Sequence, residues 1–197
     1  MRVKVGVLLI DTSVLIDWEN RWKADGSFYG ISYTLKVIRE TLFPDVAMFQ
    51  IWIPHFVRKE QERGGGGSRF LNHMFERYQA LFKKCCIRNN RNSIITFGKG
   101  IVLPSSHRNF GEVDALLQAK SLLENVENLP RTCRESFGTK STPFIRIKIL
   151  TADRRGNKIL SLAKEHGLAN IVHVWDSIVG KDKRLKELFP GRASLHL

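Results

Sequence analysis

Four acidic residues at separated points of the chain have the type and setting expected of a metal site: Asp11, Glu60, Asp114 and Asp153. Asp11 follows the apolar run 5–10, and Asp153 follows the largely apolar run 145–152. In open α/β sheets the ligand site lies beyond the carboxyl ends of the strands, so acids that follow strands would share one edge. Because clustered carboxylates cannot all ionise without a counter-charge, we expect a hard divalent cation with oxygen ligands there.

The charge balance points to a polyanionic partner. The chain has 197 residues, with 32 Lys and Arg against 19 Asp and Glu, and a formal net charge of +13. Basic side chains release counterions from a phosphate backbone, which favours nucleic acid, although the excess could also serve only solubility. A metal site on such a basic protein suggests a phosphate-bearing substrate.

Cysteine usage and hydropathy argue against secreted and membrane classes. Cys85 and Cys86 are adjacent and Cys133 is alone, which gives neither an even disulfide framework nor a CxxC zinc spacing. The histidines show no HxxxH spacing, so zinc is disfavoured. No apolar run approaches the ~20 residues of a membrane helix, and the amino terminus lacks a signal-peptide pattern. We therefore expect a cytoplasmic protein.

The hydrophobic periodicity predicts a single α/β domain over residues 1–197. The predicted strands span 3–10, 48–53, 94–97, 145–152 and 171–175; the predicted helices follow Asp11 and Pro54 and span 33–43, 69–86, 111–124, 155–166 and 181–186. Gly6, inside the first strand, suggests a close backbone approach. The strand, helix and strand of the last third predict a right-handed parallel crossover.

Two segments depart from this pattern. Residues 64–68, Gly-Gly-Gly-Gly-Ser, have the composition of a flexible spacer that holds neither helix nor strand, and we interpret them as an engineered loop replacement, with a natural glycine-rich loop as the alternative. Residues 125–143 form a long basic loop, and loops of that length are usually functional or disordered.

Four segments together resemble the PIN-domain nucleases. Residues 8–14 and 149–155 are similar to the family's strands with their acids, 53–60 to its strand, proline and helix, and 111–119 to its acidic central helix. The resemblance implies a three-layer α/β/α sandwich around a parallel sheet. It also implies Mg²⁺ or Mn²⁺ held by clustered acids, with single-stranded RNA as the usual substrate. A toxin controlled by an antitoxin or other protein regulator, an RNA-processing enzyme and a homodimer are all compatible with it.

The chemistry of such a site follows from the ion. A divalent cation bound by Asp11, Asp114 and Asp153 would lower the pKa of a bound water and neutralise charge on the scissile phosphate. A second ion near Glu60 could stabilise the leaving oxygen. Because Mg²⁺ usually takes only one or two carboxylates, four acids fit either two ions or one ion with outer-shell support.

Each acid also has a structural explanation. Asp11 and Asp153 could simply cap the helices that follow them. Asp114 lies near a buried stripe, where an unpaired carboxylate is costly unless a metal or a base compensates it. Glu112 has capping-box spacing from Asn109, so we predict a supporting role for it.

Several further residues could assist the acids. Glu62 competes with Glu60 for the metal, and Asp17 could face the cleft, although a solvated role is favoured. Thr12, Ser13 and Thr151 could hold metal-bound waters or phosphate, or satisfy local backbone groups. The basic residues predicted to bind nucleic acid are Arg154, Arg155, Lys83, Lys84, Arg88, Arg91, Arg131 and Arg134.

The sequence thus favours a metal-dependent endoribonuclease that hydrolyses phosphodiester bonds of single-stranded or loop RNA. The alternatives are a structure-specific DNA nuclease, since acids alone do not read the 2′-OH, and a nucleic-acid-binding module with a weakened site.

Overall fold

The computed structural model describes residues 4–63, 67–85, 87–102, 109–125, 135, 137, 143–152 and 157–193. The strands are β1 (Lys4–Ile10), β2 (Met48–Ile53), β3 (Phe82–Lys84), β4 (Phe144–Thr151) and β5 (Val172–Val174). The first helices are α1 (Thr12–Asp25), α2 (Tyr29–Leu42), α3 (His55–Arg63), α4 (Gly67–Arg77), α5 (Arg91–Phe97) and α6 (Phe110–Glu124). They are followed by α7 (Asn157–Glu165), a 3-10 turn (Ala169–Ile171), α8 (Trp175–Val179), α9 (Lys183–Leu188) and α10 (Pro190–Ala193).

The five strands form one parallel sheet in the order β3-β2-β1-β4-β5. β1 is central and pairs with β4 from Lys4 opposite Phe144 to Ile10 opposite Leu150. The chain moves outward from β1 to β2 and β3 on one side, and later to β4 and β5 on the other. The strand order therefore reverses between β1 and β4, and ligands bind outside the carboxyl ends at such a reversal.

Helices cover both faces of the sheet, which confirms the predicted α/β fold. Val5, Val7 and Leu9 of β1 face a core shared with α5, α6 and α7. Leu8 and Ile10, on the opposite face, pack in a core with α1, α2, α4, α8 and α9. Because side chains alternate along a strand, the continuous apolar run of β1 serves both cores at once.

Two of the predicted elements are wrong. Residues 94–97, predicted as a strand, belong to helix α5, whose start is capped by the Asn90 side chain accepting from the Ser93 N–H at 2.8 Å. Residues 69–86, predicted as one helix, divide into α4 and strand β3, so Lys83 and Lys84 lie in the sheet. The first error concerns a short apolar run that periodicity alone cannot assign to helix or strand, and the second concerns a three-residue edge strand that pairs with β2.

The boundaries of the other predicted elements agree with the structure to within a few residues. The predicted strand 48–53 has the bounds of β2. In the glycine-rich segment, Gly67 and Ser68 begin α4 despite the expectation of a spacer without regular structure, and residues 64–66 lie outside the described part. Most of the predicted loop 125–143, including Arg131 and Arg134, also lies outside it. Within the described residues, every helix is too short or too polar to cross a membrane.

The glycine in β1 marks a close approach, as its position in a buried strand suggests. A Cβ on Gly6 would lie 2.6 Å from Cδ1 of Phe43, which is 1% exposed and contacts the ring of Phe49 at a centroid distance of 5.1 Å. The phenyl ring therefore has no room to move away.

We expect Gly6→Ala to lower the free energy of unfolding by about 1–3 kcal/mol, because the added methyl overpacks this core. Urea denaturation measures the change. Gly191→Ala is the control, since a Cβ there meets nothing within 4 Å. The double variant Gly6→Ala/Phe43→Leu should lose less than the sum of the two single changes; additive losses would contradict the steric explanation.

Candidate active site

Asp11 lies at the carboxyl end of β1, at the reversal of strand order. Its N–H donates to the carbonyl oxygen of Leu150 at 3.0 Å, which joins it to the end of β4. It occupies the N-cap position of α1, yet its side chain makes no capping hydrogen bond. Instead Oδ2 accepts from the hydroxyls of Ser13 and Thr151, the latter at 3.0 Å. Helix capping therefore does not account for this carboxylate, which is 1% exposed.

Glu60 of α3 reaches the same end of the sheet. Oε2 accepts from the Thr12 hydroxyl at 2.6 Å, and Oε1 accepts from the Gly111 N–H at 3.1 Å. Burial raises the pKa of Glu60, the two hydrogen bonds oppose that rise, and the charge of Asp11 adds to it. Asp11 and Glu60 thus lie close enough to repel one another.

Gly111, at the start of α6, permits this convergence. A Cβ at this position would lie 2.7 Å from Oε2 of Glu60 and 3.1 Å from Oγ1 of Thr12. Any larger residue would collide with the carboxylate that the glycine N–H holds. The sequence shows that Gly111 lies in the first turn of a predicted helix. It does not show that this glycine approaches Glu60.

Asp114 is fully buried one turn further along α6. Oδ2 accepts from the Phe56 N–H at 3.0 Å, and Oδ1 accepts from the side-chain amides of Asn89 at 2.7 Å and Gln118 at 2.9 Å. Burial raises the pKa of Asp114, and these three donors oppose the rise. Protein donors therefore satisfy much of the hydrogen-bonding capacity of this carboxylate. Asn89 and Gln118 were not identified from the sequence.

The end of β4 is fixed from two sides. The Ala152 N–H donates to the Ser13 hydroxyl at 3.0 Å, and the Ala152 carbonyl oxygen accepts from Nη1 of Arg192 at 2.8 Å. The same guanidinium donates to both carboxylate oxygens of Asp17, at 2.7 Å and 3.1 Å. Asp17 is thus ion-paired and its side chain is only 17% exposed, contrary to the expected solvated role.

Besides Arg131 and Arg134, three more of the predicted site residues cannot be placed. Asp153, Arg154 and Arg155 lie outside the described residues. Within the described part, no group of three or more His, Cys, Asp or Glu side chains is positioned to hold a metal ion. The two predicted acids that the structure does bring together are Asp11 and Glu60. Carboxylate oxygens are ligands that suit a hard cation such as Mg²⁺ or Mn²⁺.

The remaining acids have surface or supporting positions. Glu62 pairs with Arg58 at 3.6 Å, and its side chain is 48% exposed. Glu112 is half-buried in the first turn of α6. The capping box expected with Asn109 does not form as predicted: Asn109 is the N-cap residue, but its side-chain amide donates to the Ile101 carbonyl at 3.1 Å.

The structure places four of the basic side chains predicted to bind nucleic acid. Arg88 is exposed. Burial lowers the pKa of His55, the charges of Lys59 and Arg58 lower it further, and the charge of Arg88 makes a smaller contribution. The guanidinium of Arg91 lies 5.8 Å from the ring centroid of Phe110. Lys83 donates to the Gln79 carbonyl at 2.8 Å, and Lys84 lies 5.6 Å from the ring centroid of Phe75.

We expect Gly111→Ala to lower the free energy of unfolding by about 1–3 kcal/mol, because the new methyl collides with the Glu60 carboxylate. Combined with Glu60→Ala, which removes the nearest colliding atom but leaves Cγ2 of Val57 at 2.9 Å, the loss should be smaller than the sum of the single losses. Thermal or urea denaturation measures this coupling. A coupling as small as that between Gly191→Ala and Glu60→Ala would contradict the predicted contact.

We expect Glu60→Gln to become more stable relative to the unchanged protein as the pH rises from about 4 to about 8. The pKa of Glu60 is raised in the folded state, so the carboxyl form contributes stability that is lost as pH rises through that raised pKa, whereas glutamine has no proton to lose. Glu62→Gln, on the surface of the same helix, is the control and should show no such increase; a flat difference for Glu60→Gln would refute the assignment.

Comparisons of this chain with protein-family models, with curated proteins and with solved structures find no match. The site and the fold are therefore the basis for any functional conclusion.

Proposed function

We propose that this protein is a metal-dependent nuclease that hydrolyses phosphodiester bonds in single-stranded RNA. The observation that carries the proposal is the pairing of two carboxylates, Asp11 and Glu60, beyond the carboxyl ends of the strands where the strand order reverses. Ligand sites of open parallel sheets occur at this place.

The proximity of the Asp11 and Glu60 carboxylates destabilises the folded protein. Destabilising arrangements of this kind are typical of functional sites. Burial raises the pKa of Glu60, and the charge of Asp11 adds a smaller rise. Two apolar side chains at these positions would avoid both costs. A bound divalent cation would reverse them, because it favours the charged form of each carboxylate.

Asp11 and Glu60 would hold Mg²⁺ or Mn²⁺, together with Asp153, which follows β4 in the sequence. When bound, the ion supplies an acidified water and neutralises charge on the scissile phosphate. The protein's part is to orient the ligands. Thr12 and the Gly111 N–H fix the carboxylate of Glu60, while Ser13 and Thr151 fix that of Asp11.

Asp114 has a different role in this proposal. Its oxygens already accept three hydrogen bonds from protein groups, so it is suited to anchor α6 against the start of α3. In that position it supports the placement of Gly111, three residues earlier, and through it the placement of Glu60.

A second candidate function is nucleic-acid binding with a weakened catalytic site. The three hydrogen bonds that Asp114 accepts from protein groups favour this second function, because they make the carboxylate less available to a metal. The net charge of +13 supports binding to nucleic acid in either case. An antitoxin or other protein regulator, a homodimer and a cytoplasmic location stay predictions from the sequence.

The test is cleavage of a single-stranded RNA oligonucleotide with Mn²⁺. We expect the unchanged protein to cut it and Asp11→Asn to be slower by about a hundredfold or more, since loss of even an outer-shell partner costs 10- to 100-fold. Asp45→Asn is the matched control. Asp45 is a partly exposed acid beside the amino end of β1 and β2 that pairs with Lys4 and Arg146. Its loss should leave the rate unchanged.

The other outcomes separate the alternatives. Equal activity of Asp11→Asn, or no cutting by the unchanged protein, would defeat the proposal. Salt-dependent binding of RNA without metal-dependent cutting would identify the binding module. Preferential cutting of a DNA oligonucleotide of the same sequence would identify a DNA nuclease, because the acids do not read the 2′-OH.

A further inference from the structure

A cleft of about 720 Å³ lies between α5 and α7, on the face of the sheet that α6 also covers. Amide, hydroxyl and charged side chains line it, among them Asn92, Ser93, Thr96, Lys99 and Glu165. Ligand pockets in proteins typically enclose 300–1,000 Å³. The cleft is therefore large enough for a nucleotide-sized group.

One wall of the cleft is aromatic. The rings of Phe97 and His166 stack with centroids 4.0 Å apart and planes 18° apart, and both side chains are half-buried. The ammonium group of Lys120 lies 5.7 Å from the centroid of the Phe97 ring. An aromatic wall is a surface on which a nucleobase can stack, and Lys99, which lines the same cleft, offers a positive charge to its phosphate.

The cleft begins next to the candidate active site. Asn89 donates to Asp114, and the following residue, Asn90, both lines the cleft and caps α5. Arg91 then lies over the ring of Phe110, the residue before Gly111. A strand of nucleic acid bound at Asp11 and Glu60 could continue along α5 into the cleft.

We infer that this cleft binds a base of the single-stranded RNA whose phosphodiester bond is cut. The identity of the polymer rests on the proposed function. Sequence-tolerant binding of single strands relies on base stacking against aromatic side chains, which Phe97 and His166 supply. Asn92 and Thr96 offer donors and acceptors to base edges, and unpaired bases expose those edges.

Glu165 argues for a base rather than a phosphate in the cleft. Its carboxylate repels phosphate oxygens but accepts from the exocyclic amino groups of cytosine and adenine. Uracil carries no such amino group. The cleft should therefore favour cytosine or adenine over uracil.

The test is binding of fluorescent single-stranded RNA to the full chain in EDTA, which removes any dependence on cleavage. We expect His166→Ala to weaken binding about tenfold, the loss of one stacked base. His166→Phe keeps an aromatic ring and should retain most of the affinity. His173→Ala, the same change at a half-buried histidine of β5, is the matched control and should bind as the unchanged protein does.

A second measurement tests the role of Glu165. Oligonucleotides of cytosine, adenine and uracil should bind the unchanged protein with different affinities, and Glu165→Gln should reduce the difference between cytosine and uracil. Equal affinities for the three in the unchanged protein would contradict this assignment.

The outcomes distinguish this inference from the proposed function. RNA binding that depends on His166 without any metal-dependent cutting would support the cleft and defeat the nuclease proposal. Cutting that proceeds while His166→Ala binds RNA normally would support the nuclease and overturn the cleft assignment, leaving the cleft to a protein partner. An equal loss of binding in His173→Ala would also overturn it.

Discussion

Removal of carboxylates from water is the constraint on which the carboxyl edge of this sheet depends. Asp11 is 1% exposed and Asp114 is fully buried, and an isolated buried carboxylate is strongly unfavourable. Each is compensated by donors from other parts of the chain: residues 13 and 151 for Asp11, and residues 56, 89 and 118 for Asp114. The acids therefore hold β1, β4, α3 and α6 in one arrangement.

The hydrogen-bond donors to these carboxylates are neutral hydroxyl, amide and backbone N–H groups. Neutral donors leave the charge uncancelled, so the pKa values of Glu60 and Asp114 stay raised despite two and three hydrogen bonds. The guanidinium of Arg192, by contrast, pairs with Asp17 and lies 3.5 Å from Asp176. The charge of Arg192 is thus compensated by Asp17 and Asp176. The carboxylate of Glu60 is held by neutral donors, and a bound cation would stabilise its charged form.

The sequence predicted those parts of the fold that depend on local pattern. β1 is a nearly continuous apolar run, and β2 and β4 are rich in apolar and β-branched residues, a pattern that predicts strands without knowledge of their neighbours. Residues 94–97 are also apolar but only four residues long, and the Asn90 cap is the local signal that favours a helix there. The partners of Asp114 could not be predicted, because Phe56 and Asn89 approach it only when α3 and the segment after β3 pack against α6.

The hydrogen bond from Arg192 to the Ala152 carbonyl oxygen determines when the end of β4 can be fully restrained during protein synthesis. Ala152 is the residue before Asp153 in the sequence, and α10 reaches back to it from 40 residues further along the chain. During translation this restraint on the end of β4 can form only after residue 192 has been made.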